Sequence, residues 1–310
     1  MAVVFTMNPK HVFRPRPTGR PCLMDDYAVK GDNGCTVMLI HGLTGSPVEM
    51  RFLAGYLNKR GYSVVCPRLA NHGEPIGILK YTRWQEFYES VRQAFLREQA
   101  SCDGSIFAAG LSMGALLALL LADEFKTKIA GASCLAPTLF YDGWNTPNSR
   151  FLLPLGYMTP LKYFFYFKED PPYGIKNEAI QQRIHRYYEK ANLDDIGNVG
   201  QYGYPYFPVT LLYQLRLLVG HLTKRLPQMS FPVQLIQAKD DDMTSTRNSK
   251  FIYDRIGSEM KEIVLLYDSY HVVTADQERE IVGQKMEKFF QRVREKAGPL
   301  REGQREVAHA

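Results

Sequence analysis

The chain has 310 residues, of which 45% are hydrophobic and 23% are charged, as in ordinary globular proteins. Lys and Arg number 38, Asp and Glu number 32, and the resulting net charge of +6 is spread along the chain. No basic stripe with interleaved aromatic residues is present, so the composition argues against nucleic-acid binding. The longest apolar run, residues 116–122, is too short for a transmembrane segment.

The N-terminus and the cysteines both indicate a cytoplasmic protein. The first 22 residues contain prolines and arginines but lack the continuous apolar core of a signal peptide. The five cysteines are an odd number and form neither a CxxC pair nor a zinc-ligand spacing. We therefore expect reduced thiols and a soluble protein of the cytoplasm.

Strands and helices alternate along most of the chain. Residues 1–34 form an N-terminal extension that we expect to be irregular, because prolines interrupt it. Apolar runs after it predict strands at residues 36–40, 62–66, 105–109, 129–135, 233–238 and 263–267. Helices are predicted at residues 50–60, 84–99, 209–226, 249–256 and 275–294, and a further apolar helix begins just after Ser112. This alternation predicts the α/β class, with a mostly parallel sheet covered by helices on both faces.

One segment, residues 138–230, interrupts the alternation. It is rich in Tyr and Phe and contains no repeated strand–helix–strand unit. We interpret it as a cap inserted into a core made of residues 35–137 and 231–296, and we expect some of its aromatic side chains to line a binding pocket. Residues 297–310 are polar and are predicted to be a disordered tail.

A candidate nucleophile lies between the strand at 105–109 and the apolar helix. Gly110, Ser112 and Gly114 form the pattern G-x-S-x-G at a strand-to-helix turn. So sharp a bend leaves no room for side chains two residues before and after the serine. The helix N-terminus below Ser112 favours negative charge near its oxygen. This context predicts a nucleophilic serine rather than an ordinary turn serine.

A serine nucleophile needs a base, and the base needs an orienting carboxylate. In parallel sheets, active groups gather in the loops after the carboxyl ends of strands. Of the seven histidines, His271 is the one that follows a late strand, and an acidic cluster at residues 240–242 follows the strand before it. His72 also follows a strand but precedes Ser112, which is the wrong order for this arrangement.

A glycine-containing loop, residues 41–45, follows the first strand of the core. Its sequence His-Gly-Leu-Thr-Gly matches neither of the common phosphate-binding patterns. A tetrahedral oxyanion needs preorganised N–H donors, and the residue after the nucleophile supplies one of them. We therefore predict the backbone N–H groups of Leu43 and Met113 as the oxyanion hole.

Together these motifs resemble the α/β-hydrolase superfamily, and within it the bacterial carboxylesterases related to monoacylglycerol lipases. The resemblance covers residues 37–294 in order, apart from the aromatic segment. It implies an α/β-hydrolase fold and a catalytic triad of Ser112, Asp241 and His271. The family's spacing selects Asp241, so Asp240 and Asp242 are expected to face solvent or to form local hydrogen bonds. The implied reaction is ester hydrolysis without a metal or an organic cofactor, on a small-molecule ester with an apolar acyl chain.

Two other classes of function stay open at this point. The same superfamily contains thioesterases and acyltransferases, which use the same residues on other substrates or acceptors. A non-catalytic binding protein on this fold is the second alternative, although such a protein has no need to keep Ser112, Asp241 and His271. The oligomeric state, the natural substrate and its chain length cannot be read from these motifs.

Overall fold

A computed structural model describes residues 3–5, 26–100, 102, 104–189 and 203–297. The predicted tail beyond residue 297 and most of the N-terminal extension, including Cys22, therefore lie outside the described residues. The other four cysteines are free thiols. No helix in the described part of the chain is long and apolar enough to cross a membrane.

Seven strands form the central sheet, in the order β10-β9-β6-β5-β3-β4-β2. All neighbours are parallel except β2, which pairs antiparallel with β4 at one edge. The interior strands are mostly apolar, because helices cover both faces of the sheet, and their buried polar residues are Thr36, Ser133, Gln234 and Gln237. The strands are β2 (Tyr27–Val29), β3 (Thr36–Ile40), β4 (Ser63–Cys66), β5 (Ile106–Leu111), β6 (Ile129–Leu135), β9 (Val233–Ala238) and β10 (Lys261–Leu266).

Helices pack on the two faces of this sheet around separate apolar clusters. Helices α1 (Arg51–Asn58) and α9 (Arg279–Ala297) cover one face. The other face carries α3 (Trp84–Gln99), α4 (Met113–Glu124) and α8 (Arg247–Arg255). A short helix, α2 (Ile76–Leu79), lies in the loop after β4. Helix α4 is buried from Met113 to Ala122, which explains why its sequence has no polar face.

The segment between β6 and β9, residues 138–230, is called here the inserted segment, and its apolar side chains join the same core cluster as those of α3 and α4. It contributes β7 (Phe165–Lys168) and β8 (Tyr206–Pro208) to a three-stranded antiparallel sheet, whose third strand is β1 (Val3–Phe5). Its helices are α5 (Leu153–Tyr157), α6 (Glu178–Tyr188) and α7 (Val209–Thr223).

The expectation that residues 1–34 are irregular was wrong for two short stretches. Strand β1 pairs with β7, with Val3 opposite Phe167, and strand β2 extends the central sheet, with Tyr27 opposite Cys66. Neither stretch shows a sequence pattern of its own, because each is only three residues long and forms by pairing with an existing edge.

Candidate active site

The strand-to-helix turn at Ser112 has the strained geometry that its sequence predicts. Ser112 lies between β5 and α4 with φ 57° and ψ −117°, a conformation that a non-glycine residue rarely adopts. A Cβ atom on Gly110 would collide with the carbonyl oxygen of Gly114, and one on Gly114 would collide with that of Ile40. The two glycines therefore allow the turn to form and bring it against β3.

The Ser112 hydroxyl is held by a residue that the sequence did not suggest. Its Oγ lies 2.8 Å from Oγ1 of Thr138, which is fully buried and follows the carboxyl end of β6. Thr138 also donates to the carbonyl oxygen of Ala136 at 3.3 Å. The Thr138 hydroxyl has one proton for these two contacts, and either it or the Ser112 hydroxyl can be the donor between them. Within the described residues, no hydrogen bond joins the Ser112 hydroxyl to His271.

His271 and Asp241 lie in contact, both almost completely buried. Nδ1 of His271 is 2.9 Å from Oδ2 and 3.1 Å from Oδ1 of Asp241. Burial lowers the pKa of His271, but the charge and the hydrogen bond of Asp241 outweigh that effect, and its pKa lies above the ordinary value. The arrangement can orient the imidazole and stabilise its cation.

A network of donors fixes the Asp241 carboxylate. Backbone N–H groups of Met243 and Thr244 donate to Oδ1 at 2.9 and 2.8 Å. The side chains of Gln237 and Thr244 donate to Oδ2 at 2.7 and 3.0 Å. Gln237 and Thr244 are positioning residues that the sequence analysis did not identify, although both flank the acidic cluster.

The two aspartates beside Asp241 differ from each other. Asp240 is exposed, as expected, but the expectation for Asp242 was wrong, since its side chain is buried. Asp242 accepts hydrogen bonds from the backbone N–H of Gly174 at 3.2 Å and of His271 at 3.3 Å. Burial, followed by the charge of Asp241, raises the pKa of Asp242 to about 6. Sequence spacing could not show this, because Gly174 belongs to the distant inserted segment.

The loop at residues 41–45, here called the oxyanion loop, lies directly beside the nucleophile. A Cβ atom on Gly42 would be 3.6 Å from Cβ of Ser112. Within the described residues, no hydrogen bond occupies the backbone N–H of Leu43 or of Met113. Both predicted donors, one in the loop and one at the first residue of α4, therefore have no acceptor within the described residues.

Two buried histidines, His41 in the oxyanion loop and His72 after β4, fix the backbone of this loop by hydrogen bonds. Nε2 of His72 donates to the carbonyl oxygen of Leu43 at 2.8 Å, and Nε2 of His41 accepts from the N–H of Leu69 at 3.2 Å. Burial lowers the pKa of His72 to about 4 and that of His41 well below the ordinary value, so both rings are neutral. His72, which follows a strand in the wrong order to be the base, instead holds this loop.

A cavity of about 40 Å³, partly open to solvent, lies between the inserted segment and the loop after β9. Apolar side chains form much of its wall, among them Phe167, one of the aromatic residues expected to line a pocket. Glu169 and Asp242 are the buried carboxyl groups in this wall. Burial raises the pKa of Glu169 to about 8, against the effect of the Tyr188 hydroxyl, which donates to it at 3.2 Å.

A family described as serine aminopeptidase S33 matches residues 32–278. The chain belongs to the serine aminopeptidase S33 family. A thermostable monoacylglycerol lipase from Bacillus sp. (strain H-257) is 28% identical over 266 residues, which span 85% of this chain and 92% of that relative. A carboxylesterase from Bacillus subtilis (strain 168) is 25% identical over 257 residues, or 83% of this chain and 92% of the relative.

Solved structures agree with this assignment. One of them comes from work on LipS and LipT, two metagenome-derived lipolytic enzymes, and it matches with a TM-score of 0.71 at 26% identity. The match covers 87% of this S33 chain and 98% of that chain. The predicted α/β-hydrolase fold is thereby confirmed.

Proposed function

We propose that this protein is a serine hydrolase that cleaves carboxylic esters, with Ser112 as nucleophile, His271 as base and Asp241 as the orienting acid. The observation that carries the proposal is the buried His271–Asp241 pair, which lies at the same edge of the sheet as the strained turn at Ser112. The relatives named carboxylesterase and monoacylglycerol lipase support an ester as the substrate.

In the proposed reaction, the Ser112 hydroxyl exchanges its bond to Thr138 for one to His271. Catalytic hydrogen bonds are often absent or long before substrate binds. Ser112 then attacks the ester carbonyl, and its proton passes to Nε2 of His271. The N–H groups of Leu43 and Met113 bind the resulting oxyanion. The intermediate collapses to an acyl-enzyme, and His271 gives its proton to the departing alcohol. Water, deprotonated by His271, then releases the acid and restores Ser112.

The inserted segment is proposed to act as a cap that selects the acyl chain. Its residues form most of the wall of the cavity next to Asp242, with apolar side chains such as Leu153 and Phe167 beside the charged Arg150 and Asp170. Apolar side chains in this wall favour a hydrocarbon chain. A small-molecule ester with an apolar acyl chain therefore fits this cavity better than a charged substrate.

The decisive test is Ser112→Ala. We expect it to abolish hydrolysis of p-nitrophenyl esters of every chain length, because it removes the attacking oxygen and leaves the fold in place. A fluorophosphonate probe should label the parent protein and leave the variant unlabelled. Ser90→Ala, in helix α3, is the matched control and should keep both activity and labelling. Labelling of Ser112→Ala at another serine would overturn the assignment.

The same assay separates the other reactions that this fold supports. Acyl-CoA substrates test for a thioesterase, and competing alcohols in the ester assay reveal an acyltransferase. Aminoacyl anilides belong in the panel because the family is described by a serine aminopeptidase. Faster turnover of any of these than of simple esters would replace ester hydrolysis as the assigned activity.

A further inference from the structure

An acidic side chain lies against the oxyanion loop, and the proposed mechanism does not use it. Glu49 belongs to a short 3₁₀ turn, Pro47–Met50, that follows the loop. Its Oε2 accepts a hydrogen bond from the backbone N–H of Gly42 at 3.1 Å. The Glu49 carboxyl group also packs on Gly45, where any Cβ atom would collide with it. Gly45 thus makes the space into which Glu49 folds back.

The Glu49 carboxyl group lies close to the proposed nucleophile, Ser112. Gly42 separates its carboxyl group from Ser112, since a Cβ on Gly42 would be 3.6 Å from both Oε2 of Glu49 and Cβ of Ser112. Glu49 keeps part of its surface accessible, although protein surrounds its carboxyl group. A side chain at this point can influence both the loop and the charge that develops on the substrate.

The charged groups around Glu49 come from three elements. His271, in the loop after β10, attracts a negative charge on Glu49. Glu169, next to β7, and Tyr188, in α6, face it from the inserted segment, and an ionised Glu49 would repel them in their charged forms. Burial raises the pKa of Glu49 to about 7, while the bond from Gly42 and the charge of His271 oppose that rise. The neutral form therefore exists near neutral pH.

The two protonation states of Glu49 have opposite consequences for an oxyanion. A neutral carboxyl keeps an acceptor oxygen for the Gly42 N–H and adds no charge to the site. An ionised carboxylate makes the same bond but places a negative charge beside the developing oxyanion, where burial leaves such repulsion poorly screened. It also favours the charged form of His271, which cannot act as a base.

We propose that Glu49 is a positioning residue whose neutral carboxyl group holds the Gly42 peptide and so directs the N–H of Leu43 toward the oxyanion. The proposal rests on the acyl-transfer function proposed above. Ionisation of Glu49 then weakens catalysis at high pH, while protonation of His271 weakens it at low pH. The parent enzyme should therefore show a bell-shaped dependence of kcat/KM on pH.

Two variants separate the effect of the hydrogen bond to the Gly42 N–H from the effect of a negative charge on Glu49. Glu49→Ala removes the acceptor for Gly42, and we expect kcat to fall roughly 10- to 100-fold with KM within about threefold, less than the ~10²–10³-fold loss of a whole oxyanion donor. Glu49→Gln keeps an acceptor oxygen and cannot ionise, so it should recover most of that loss. In Glu49→Gln the descending limb should disappear, whereas the ascending limb should stay in place, because Glu49 is already neutral where His271 loses its proton.

The measurement is kcat and KM for one p-nitrophenyl ester across the pH range, with thermal unfolding of each variant alongside. Glu259→Gln is the control, since Glu259 is exposed and lies before the amino-terminal end of β10, whereas the site lies at the carboxyl-terminal ends of the strands. A Glu49→Gln profile identical to that of the parent overturns the proposal, whether or not Glu49→Ala folds. A parent protein with no ester hydrolysis and no fluorophosphonate labelling would instead refute the proposed function itself.

Discussion

Three consecutive aspartates after β9 have three different environments. Asp240 is exposed, Asp241 binds His271, and Asp242 is buried against backbone N–H groups. Alternation along the chain does not explain this, because the residues lie in a turn and not in a strand. Buried hydrogen-bond donors set the orientations of the Asp241 and Asp242 side chains, and each of the two side chains has its own set of donors.

The three aspartates are therefore expected to differ in function. Asp241→Asn should lower kcat by up to about 10⁴-fold, because the imidazole loses the acceptor that sets its tautomer. Asp242→Asn should cost roughly tenfold, since one amide oxygen must replace two carboxylate oxygens, which accept from Gly174 and His271. Asp240→Asn is the internal control and should match the parent.

Measuring kcat for the three aspartate variants side by side decides this order. The pH profile adds a second criterion, because removal of the Asp242 charge should move the ascending limb to lower pH. Greater damage from Asp242→Asn than from Asp241→Asn would show that the acid of the triad is Asp242.

At the scale of elements, the inserted segment is tied to the loop that carries His271. The buried carboxylate of Asp276 accepts from the backbone N–H of Lys176 and Asn177, at 2.7 and 3.1 Å, directly before helix α6. It also accepts from the N–H of Tyr270 and Gln277, at 2.8 and 2.9 Å, within its own loop. One side chain thus joins the start of α6 to the loop that positions the base.

Asp276→Ala is expected to loosen this junction. It leaves four backbone donors without their acceptor, and we expect a loss of about 3 kcal/mol in the free energy of unfolding, from a cost of ~1–3 kcal/mol for each unsatisfied group with partial rescue by water. If the inserted segment covers the acyl chain, KM should rise several-fold for long-chain esters and less for short ones.

Chemical denaturation and ester kinetics test this effect of Asp276. Glu280→Gln is the control, because Glu280 is exposed in the first turn of α9. An equal rise in KM for all chain lengths would argue against a role of the inserted segment in chain selection.

At the scale of the whole molecule, several titrating groups have pKa values that burial has shifted. Glu169 and His271 hold their protons to higher pH in the folded protein than in the unfolded chain. Cys66 does so as well, since burial raises the pKa of its thiol to about 12. His41 and His72 have the opposite shift, because burial keeps them neutral.

These shifts predict that stability falls as the pH rises above neutrality. From about pH 7 to 9 the folded protein binds more protons than the unfolded chain, so the free energy of unfolding decreases with pH. His41 and His72 oppose this trend only below about pH 6.5, where unfolded histidine takes up a proton. Calorimetry at pH 7, 8 and 9 should show a falling Tm.

Glu169→Gln should flatten that decline, because it removes one group that keeps its proton in the folded state. Glu259→Gln, at an exposed position, should leave the slope unchanged. A Tm that stays constant or rises over this pH interval would show that the buried carboxyl does not keep its proton.

The sequence alone determined the parts of this protein that depend on local chemistry. The strands at 36–40, 129–135 and 233–238 and the helix at 84–99 agree with the structure to the residue, because mainly apolar runs mark the strands and an amphipathic pattern marks the helix. The turn at Ser112 was also readable, since its two glycines are required by the bend itself. The alternation of strands and helices, together with the order of the motifs, was enough to suggest the fold class.

Only the tertiary structure decided which side chains meet across long stretches of chain. Thr138 reaches Ser112, and Asp242 reaches Gly174, because loops from separate elements meet at one edge of the sheet. Glu49 is close to Gly42 in sequence, yet only the packing of its turn on Gly45 aims it at the loop rather than at solvent. Side chains in loops have no period, so their directions follow from the packing around them and not from spacing.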